Sequence, residues 1–286
     1  MTLPTFLGVG TQKAGTTWLH TQLQSHPEVY LPTRRKELHF FDAYFEKGVN
    51  WYKSFFPVNP VEKGYRHWGE ITPKYMFDPV VVDRVVDTLG PKTKIIFVLR
   101  CPVDRFFSQY RMSYSQGDTN LSPEAFFRSN LEAFQRGLYS KQISRFVARF
   151  GWSNVLVLFY EKLFLEAYDG IPESLLDIGR FLEINNRLWP TVDAAERLGA
   201  LGSAGRPRFM GLYELAKRWR KWCMNRDLEG VVRFAKRTGI NNRTFGGLSG
   251  TPQIDDSLKQ EVWEAYRADV EEVEELLSTR IDFWGC

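Results

Sequence analysis

The sequence predicts an α/β fold: a P-loop-like parallel β-sheet flanked by helices, in a single domain whose C-terminal part is mainly helical. Three observations predict it. Short apolar runs recur at Phe6–Val9, Ile95–Leu99 and Val155–Phe159, the pattern of strands buried on both faces. Each run is followed by a helical pattern, and strand–helix alternation builds a parallel sheet covered by helices. The chain has 286 residues, 43% hydrophobic and 15% aromatic, enough to bury a sizeable core and of a size suited to one large domain.

The elements follow in order. The first strand passes through Gly10–Gly15 into a helix expected over Thr16–Ser25. The second passes Pro102, suited to a helix's first turn, into a stretch with Phe106, Phe107, Tyr110 and Tyr114 at near-helical spacing. The third precedes helical stretches near Glu161–Glu166 and Pro172–Leu182. Beyond these, Arg206–Arg243 holds eleven Lys/Arg against three Asp/Glu, including Lys217-Arg-Trp-Arg-Lys-Trp222. Asp255–Asp282 reverses the balance, with ten acidic and three basic residues. Its apolar positions Val262, Tyr266, Val270, Val273 and Leu277 repeat every three or four residues, which predicts an amphipathic terminal helix. The two segments read as helices of opposite charge with solvated polar faces, or the basic one as a lid over an anionic ligand or as a membrane-surface helix. Gly202–Pro207 and Gly246–Pro252 read as loops around it. The expected division is an α/β core over 5–185 and, over 186–286, a helical lid or acceptor region with the C-terminal helix.

Composition narrows the function. A net charge of +4 does not make nucleic acid the default partner. Three cysteines, Cys101, Cys223 and Cys286, without paired spacing, predict neither a disulfide framework nor a zinc site and fit a reducing, cytoplasmic setting. No apolar run approaches the ~20 residues of a membrane span, and no signal peptide is read. The sequence does not determine the oligomeric state.

Ligands of parallel sheets collect at the carboxyl ends of the strands, so the loops there come first. Gly10-Thr-Gln-Lys-Ala-Gly-Thr-Thr-Trp18 joins the first strand to the first helix, where free N–H groups and the helix dipole hold phosphate. Its two glycines fit the nucleotide-triphosphatase loop G-x-x-x-x-G-K-[ST], but Thr16 stands where the lysine belongs and the charge lies earlier, at Lys13. A triphosphatase also places an Asp at the end of a second strand to hold magnesium. Here that strand ends in Arg100, whose fork suits a phosphate monoester and cannot hold a metal. Tyr160 and Glu161 after the third strand keep a kinase-like reading open. Lys13 and Arg100 together imply a nucleotide with two separate anionic groups and no metal.

With these residues in view, the chain resembles the sulfotransferases that use 3′-phosphoadenosine 5′-phosphosulfate (PAPS). Their 5′-phosphosulfate loop is similar to Gln12-Lys-Ala-Gly-Thr-Thr-Trp18, and their 3′-phosphate pair is similar to Arg100 and Ser108 in Leu99-Arg-Cys-Pro-Val-Asp-Arg-Phe-Phe-Ser108. Lys36-Glu-Leu-His-Phe-Phe-Asp42 resembles the E-x-H-F-F-D segment of the heparan-sulfate-type branch, where the Glu is the proposed base. Gly48-Val-Asn-Trp-Tyr52, Gly69-Glu-Ile-Thr-Pro-Lys-Tyr75 and Gly137-Leu-Tyr139 are similar to further landmarks of that branch.

The resemblance implies PAPS as co-substrate, a hydroxyl-bearing acceptor (carbohydrate ahead of lipid or small natural product), and no metal. Lys13, Ala14, Gly15, Thr16, Thr17 and Trp18 would hold the 5′ end, and Arg100 and Ser108 the 3′-phosphate. Lys13 would neutralise the leaving oxygen while Glu37, or else His39, takes the acceptor's proton. Asp42 is expected to orient its neighbours. Trp18 reads equally as an adenine-stacking ring and as a core residue. Two departures stand out. Ile71 occupies the place of a lysine in Glu-Lys-Thr-Pro, with Lys74 three residues on. The late glycine-rich PAPS element is absent in its usual form, and Gly246-Gly-Leu-Ser-Gly250 with Arg243 is the candidate replacement. A nucleotide- or polyanion-binding module without catalysis is the reading from another class.

Overall fold

The structure is a computed structural model that describes residues 2–168, 170–190, 210–237 and 252–285. Its centre is a five-stranded sheet in the order β2-β3-β1-β4-β5, parallel throughout. The strands are β1 (Phe6–Gly10), β2 (Val29–Tyr30), β3 (His67–Ile71), β4 (Lys94–Leu99) and β5 (Val155–Phe159). Side chains alternate across a strand, and both faces are apolar. Leu7, Val9, Ile95, Phe97 and Leu99 enter one core cluster, while Phe6, Ile71, Ile96, Val98 and Leu158 enter the other.

Helices cover each face. Towards the first lie α3 (Pro79–Leu89), α4 (Pro102–Ser115) and α7 (Ser140–Phe150), through Val85, Phe106 and Phe146 among others. The second is covered by α1 (Thr16–Ser25) and α8 (Glu173–Leu182), through Leu19, Leu23, Ile178 and Leu182. Short helices α2 (Gly48–Lys53), α5 (Pro123–Ser129) and α6 (Leu131–Gln135) lie in the connections. A hairpin, β6 (Glu166–Tyr168) and β7 (Ile171–Pro172), precedes α8. The helix expected over Glu161–Glu166 is not formed: a single 3-10 turn at Tyr160–Lys162 gives way to β6.

The later helices are α9 (Met210–Asn225), α10 (Glu229–Arg237) and α11 (Asp256–Leu277). In α11, Leu258, Val262, Tyr266, Val270 and Val273 are buried in the first core cluster, so this acidic helix forms part of the sheet's own cover. Asp269 serves its inner face: its carboxylate accepts from the N–H groups of Tyr139 (2.5 Å) and Ser140 (3.2 Å) and from the Ser140 hydroxyl. It thereby caps α7, whose first N–H groups have no partner within the helix. Among the described residues no helix is long and apolar enough to cross a membrane. Arg243, Gly202–Pro207 and Gly246–Gly250 lie outside the described residues.

Removing the Asp269 carboxylate leaves two buried N–H groups without an acceptor. Asp269→Ala is expected to lower unfolding free energy by about 2–4 kcal/mol, measured by urea denaturation. A loss below ~0.5 kcal/mol, the range of ordinary surface substitutions, would contradict the capping role.

Candidate active site

The strand order reverses at β1: the chain leaves it for β2 and β3 on one side and for β4 and β5 on the other. A crevice opens at such a switch point, at the carboxyl ends of the strands. The loop of residues 11–15 follows β1, and Arg100 follows β4, the neighbouring strand. The two elements meet directly, since Arg100 Nη1 donates to the Lys13 carbonyl at 3.1 Å.

The loop's shape has local causes. Lys13 and Gly15 both have left-handed backbones, φ 73° and 79°. At Gly15 a Cβ would lie 3.0 Å from both Tyr160 and Leu163 side chains, so only glycine fits that turn and its close packing. The N-terminus of α1 has no side-chain cap, which leaves its first N–H groups available to an anion. Thr16 is buried and Thr17 exposed at its start.

Among the described residues, protein groups satisfy Arg100 only in part. Its guanidinium lies 4.5 Å over the Tyr160 ring, and Asp104 approaches Nη2 only to 3.8 Å. Nε is buried with no hydrogen-bond partner. The Lys13 ammonium reaches across to α4, 3.5 Å from the Met112 sulfur. Ser108 lies one helical turn before Met112 on the same face of α4. Burial, with Arg100 and Arg105 nearby, holds the Lys13 amine below its ordinary pKa. Arg105 was not singled out from the sequence. It is wholly buried, with Nη2 on the Ala133 carbonyl and Nε and Nη1 unpartnered.

The acceptor-side cluster lies on the loop after β2. His39 Nδ1 is 3.0–3.1 Å from the Asp42 carboxylate, and its Nε2 is 3.4 Å from Glu37 Oε2. Lys74 Nζ lies 3.5 Å from Asp42, so this cation joins the cluster. Ile71 is buried in the second core cluster. Burial pulls the His39 pKa down, but hydrogen bonds and charges from Asp42 and Glu37 outweigh it and raise the imidazole to about 9. For Glu37, burial raises the carboxyl pKa, while the His39 hydrogen bond and the Lys36 and His39 charges bring it below normal.

Lys36 carries the link that sequence pattern missed. Its ammonium donates to Thr17 Oγ1 at 2.8 Å and lies 3.8 Å from Glu37 Oε1. It thus bridges the start of α1 to the acceptor-side carboxylate. Alternation in an extended strand would point residues 36 and 37 to opposite sides; this segment is a loop, and both converge. His20, one turn beyond Thr16 on α1, is buried with Nε2 unpartnered. Burial and the Lys36 charge, opposed by Glu37, bring it down to about 4.

The remaining candidates divide. Trp18 is 5% exposed and packs edge-on to Phe164 with ring centroids 5.2 Å apart, which places its ring in the core beneath α1. Ala14 is buried beside it in the same cluster. Glu161 is engaged by protein donors: its oxygens accept from the Cys101 N–H (2.8 Å) and Trp284 Nε1 (3.0 Å). The basic segment is anchored to the acceptor side. Arg35 pairs with Glu229 at 2.7 Å and donates to the Met224 carbonyl, while Lys47 pairs with Asp227 at 2.8 Å. At its other end, Lys217 pairs with Asp118, just beyond α4.

Comparison with known proteins bears on this arrangement. The family model described as "Sulfotransferase domain" matches residues 3–195, more than half of the chain. The chain is 37% identical over 121 residues to the membrane-associated sulfotransferase kil1 of Dictyostelium discoideum, covering 42% of this chain and 25% of that protein. It is 41% identical over 121 residues to the human bifunctional heparan sulfate N-deacetylase/N-sulfotransferase 2, covering 41% and 14%. The matches thus span a quarter or less of those two relatives' lengths. The crystal structure of a sulfotransferase from Alicyclobacillus acidocaldarius shares the fold, with a TM-score of 0.68 over 99% of both chains at 21% identity.

The two site histidines should titrate far apart. Because His39 is raised, the stability drawn from its charged form is complete below its ordinary value of 6.5 and disappears as pH rises through about 9. NMR titration of the rings is expected to find His39 ionising near 9 and His20 near 4, with Asp42→Asn moving His39 back towards 6.5. A wild-type His39 already neutral at pH 7 would contradict the pairing.

Proposed function

The chain belongs to the sulfotransferase domain family, and from that premise we propose that it moves the sulfuryl group of PAPS to an acceptor hydroxyl, with a carbohydrate the favoured acceptor class. The observation that carries the proposal is the meeting of the Lys13 loop with Arg100 across β1 and β4. One nucleotide bearing a 5′-phosphosulfate and a 3′-phosphate can bridge these two elements.

In the proposed reaction the loop N–H groups with Thr16 and Thr17 hold the 5′-phosphate, and Arg100 and Ser108 take the 3′-phosphate. Arg100 Nε, buried and unpartnered, is the donor that a bound phosphate would satisfy. Ala14, Gly15 and Trp18 support the cradle from the core side. The acceptor oxygen attacks sulfur in line, the bond from sulfur to the 5′-phosphate oxygen breaks, and adenosine 3′,5′-bisphosphate leaves. Lys13 offsets the charge that grows on that oxygen. Glu37 takes the acceptor's proton: its pKa is below normal, so it is ionised at neutral pH, whereas His39 is already protonated between two carboxylates. As in phosphoryl transfer, positioning and charge stabilisation supply most of the rate.

A carbohydrate acceptor is supported by the heparan sulfate named for the human relative and by the similar E-x-H-F-F-D segment. The kinase-like reading is not favoured by the sulfotransferase family match, and Glu161, its candidate acid, is engaged by the Cys101 N–H and Trp284 Nε1. A module that only binds nucleotide would not need Glu37 within 3.8 Å of a lysine that touches the donor loop. We propose a cytoplasmic setting from the sparse, unpaired cysteines of the sequence alone.

Labelled PAPS with chemically desulfated heparin, phenols and lipid alcohols as acceptors tests the class. Lys13→Ala and Glu37→Gln are each expected to lower kcat by ~10²-fold or more. Near-normal turnover by Glu37→Gln would remove it as base. In calorimetry Arg100→Ala is expected to weaken adenosine 3′,5′-bisphosphate binding by at least ~10-fold, the loss of a charged hydrogen-bonded pair. Unchanged affinity would detach Arg100 from the nucleotide.

A further inference from the structure

The backbone of the loop that carries Glu37, His39 and Asp42 donates into a buried carboxylate. Glu70, near the end of β3, is wholly buried and accepts four hydrogen bonds. Oε2 takes the Leu38 N–H at 3.2 Å and the Thr72 hydroxyl at 2.6 Å. Oε1 takes the hydroxyls of Tyr52 at 2.8 Å and Tyr75 at 2.9 Å. Two of those hydroxyls also accept from the loop: Thr72 from the His39 N–H at 3.5 Å, and Tyr75 from the Phe41 N–H at 3.3 Å. The backbone donors of residues 38, 39 and 41 therefore run into one anion, directly or through one hydroxyl. Tyr52 differs, since its hydroxyl touches Glu70 while its ring stacks on Phe40, centroids 4.3 Å apart.

Two features argue that this arrangement does more than fill space. Among the described residues Glu70 has no ion-pair partner, and a buried carboxylate held by hydrogen bonds alone is costly compared with apolar packing. His39 also has a left-handed backbone, φ 54°, which a non-glycine residue keeps only where its surroundings hold it. The Thr72 and Tyr75 hydroxyls bond to the N–H groups on and just after that residue.

We propose that Glu70 is a positioning residue for sulfuryl transfer: through Leu38, Thr72 and Tyr75 it fixes the backbone of residues 38–41, and with it the placement of Glu37, His39 and Asp42. The proposal rests on the function proposed above. Its contribution lies in geometry, where a misplacement of about 1 Å can cost ~10²-fold in rate.

The test compares two tyrosines whose hydroxyls both bond to Glu70 but of which only Tyr75 also accepts from the loop backbone. Tyr75→Phe, Tyr52→Phe and Glu70→Gln are assayed in the full chain with labelled PAPS and desulfated heparin oligosaccharide. Melting midpoints and calorimetric affinity for adenosine 3′,5′-bisphosphate are measured alongside. Tyr75→Phe and Glu70→Gln are expected to lower kcat by about ten-fold or more, with PAPS KM and bisphosphate affinity within about two-fold. Tyr52→Phe is expected to lower the midpoint while holding kcat within about two-fold. Amide hydrogen exchange at residues 38–41 supplies a readout that needs no acceptor: Tyr75→Phe speeds it and Tyr52→Phe does not. Equal kcat losses from the two tyrosine variants, or unchanged exchange and kcat in Tyr75→Phe, overturn the proposal. Should Glu70→Gln fail to fold, the tyrosine pair still decides. A wild-type protein that turns over no acceptor counts against the proposed function, while exchange still decides the role of Glu70.

Discussion

At the centre of the molecule the carboxyl ends of β1 and β4 lie side by side, and the hydrogen bond from Arg100 to the Lys13 carbonyl spans them. Strand order imposes this adjacency. Because the chain departs from β1 in two directions, the turns after these strands diverge and leave a crevice between α1 and α4. Its cations have few carboxylate partners among the described residues: there the Lys13 ammonium meets the Met112 sulfur, and Arg100 keeps a buried Nε without a partner. Arg105 adds a wholly buried positive charge. Desolvated cations fixed in place are costly in the free protein, and a doubly charged anionic ligand relieves that cost.

The acceptor side depends on the donor side through contact as well as proximity. Lys36 touches Thr17 at the start of α1 and lies beside Glu37, so the helix proposed to receive the 5′-phosphate also bears on where the proposed base sits. From the same loop Arg35 runs the other way, into Glu229 and the Met224 carbonyl of the C-terminal helices. Its guanidinium lies over the rings of Tyr44 and Trp51. Residues 35–37 thus connect three parts of the chain far apart in sequence, and charge complementarity brings the basic segment to the site's rim.

The parts legible in the sequence were those with a local signature. The strands expected at Phe6–Val9, Ile95–Leu99 and Val155–Phe159 correspond to β1, β4 and β5 almost residue for residue. Pro102 opens α4, and the terminal helix appears with its apolar repeat turned inward. β3 escaped because His67-Trp-Gly-Glu-Ile71 has no apolar run, and because its most buried polar residue, Glu70, is satisfied by partners 18 and 32 positions away. The helix expected at Glu161–Glu166 gives way to a 3-10 turn and β6, and Glu161 is engaged by Cys101 and Trp284. Lys13 and Arg100 were singled out from residue type and spacing, and Glu37 and His39 from the resemblance of the segment that carries them. Lys36, Arg105 and His20 were not, since their placement follows from tertiary packing that no short motif encodes.

A crystal structure of the full chain with adenosine 3′,5′-bisphosphate tests the central claim most directly. The 5′-phosphate is expected on the N–H groups of residues 13–17 and the 3′-phosphate within hydrogen-bond reach of Arg100 Nε and Ser108. A nucleotide that leaves Arg100 untouched, or that lies away from the loop between β1 and α1, would contradict it.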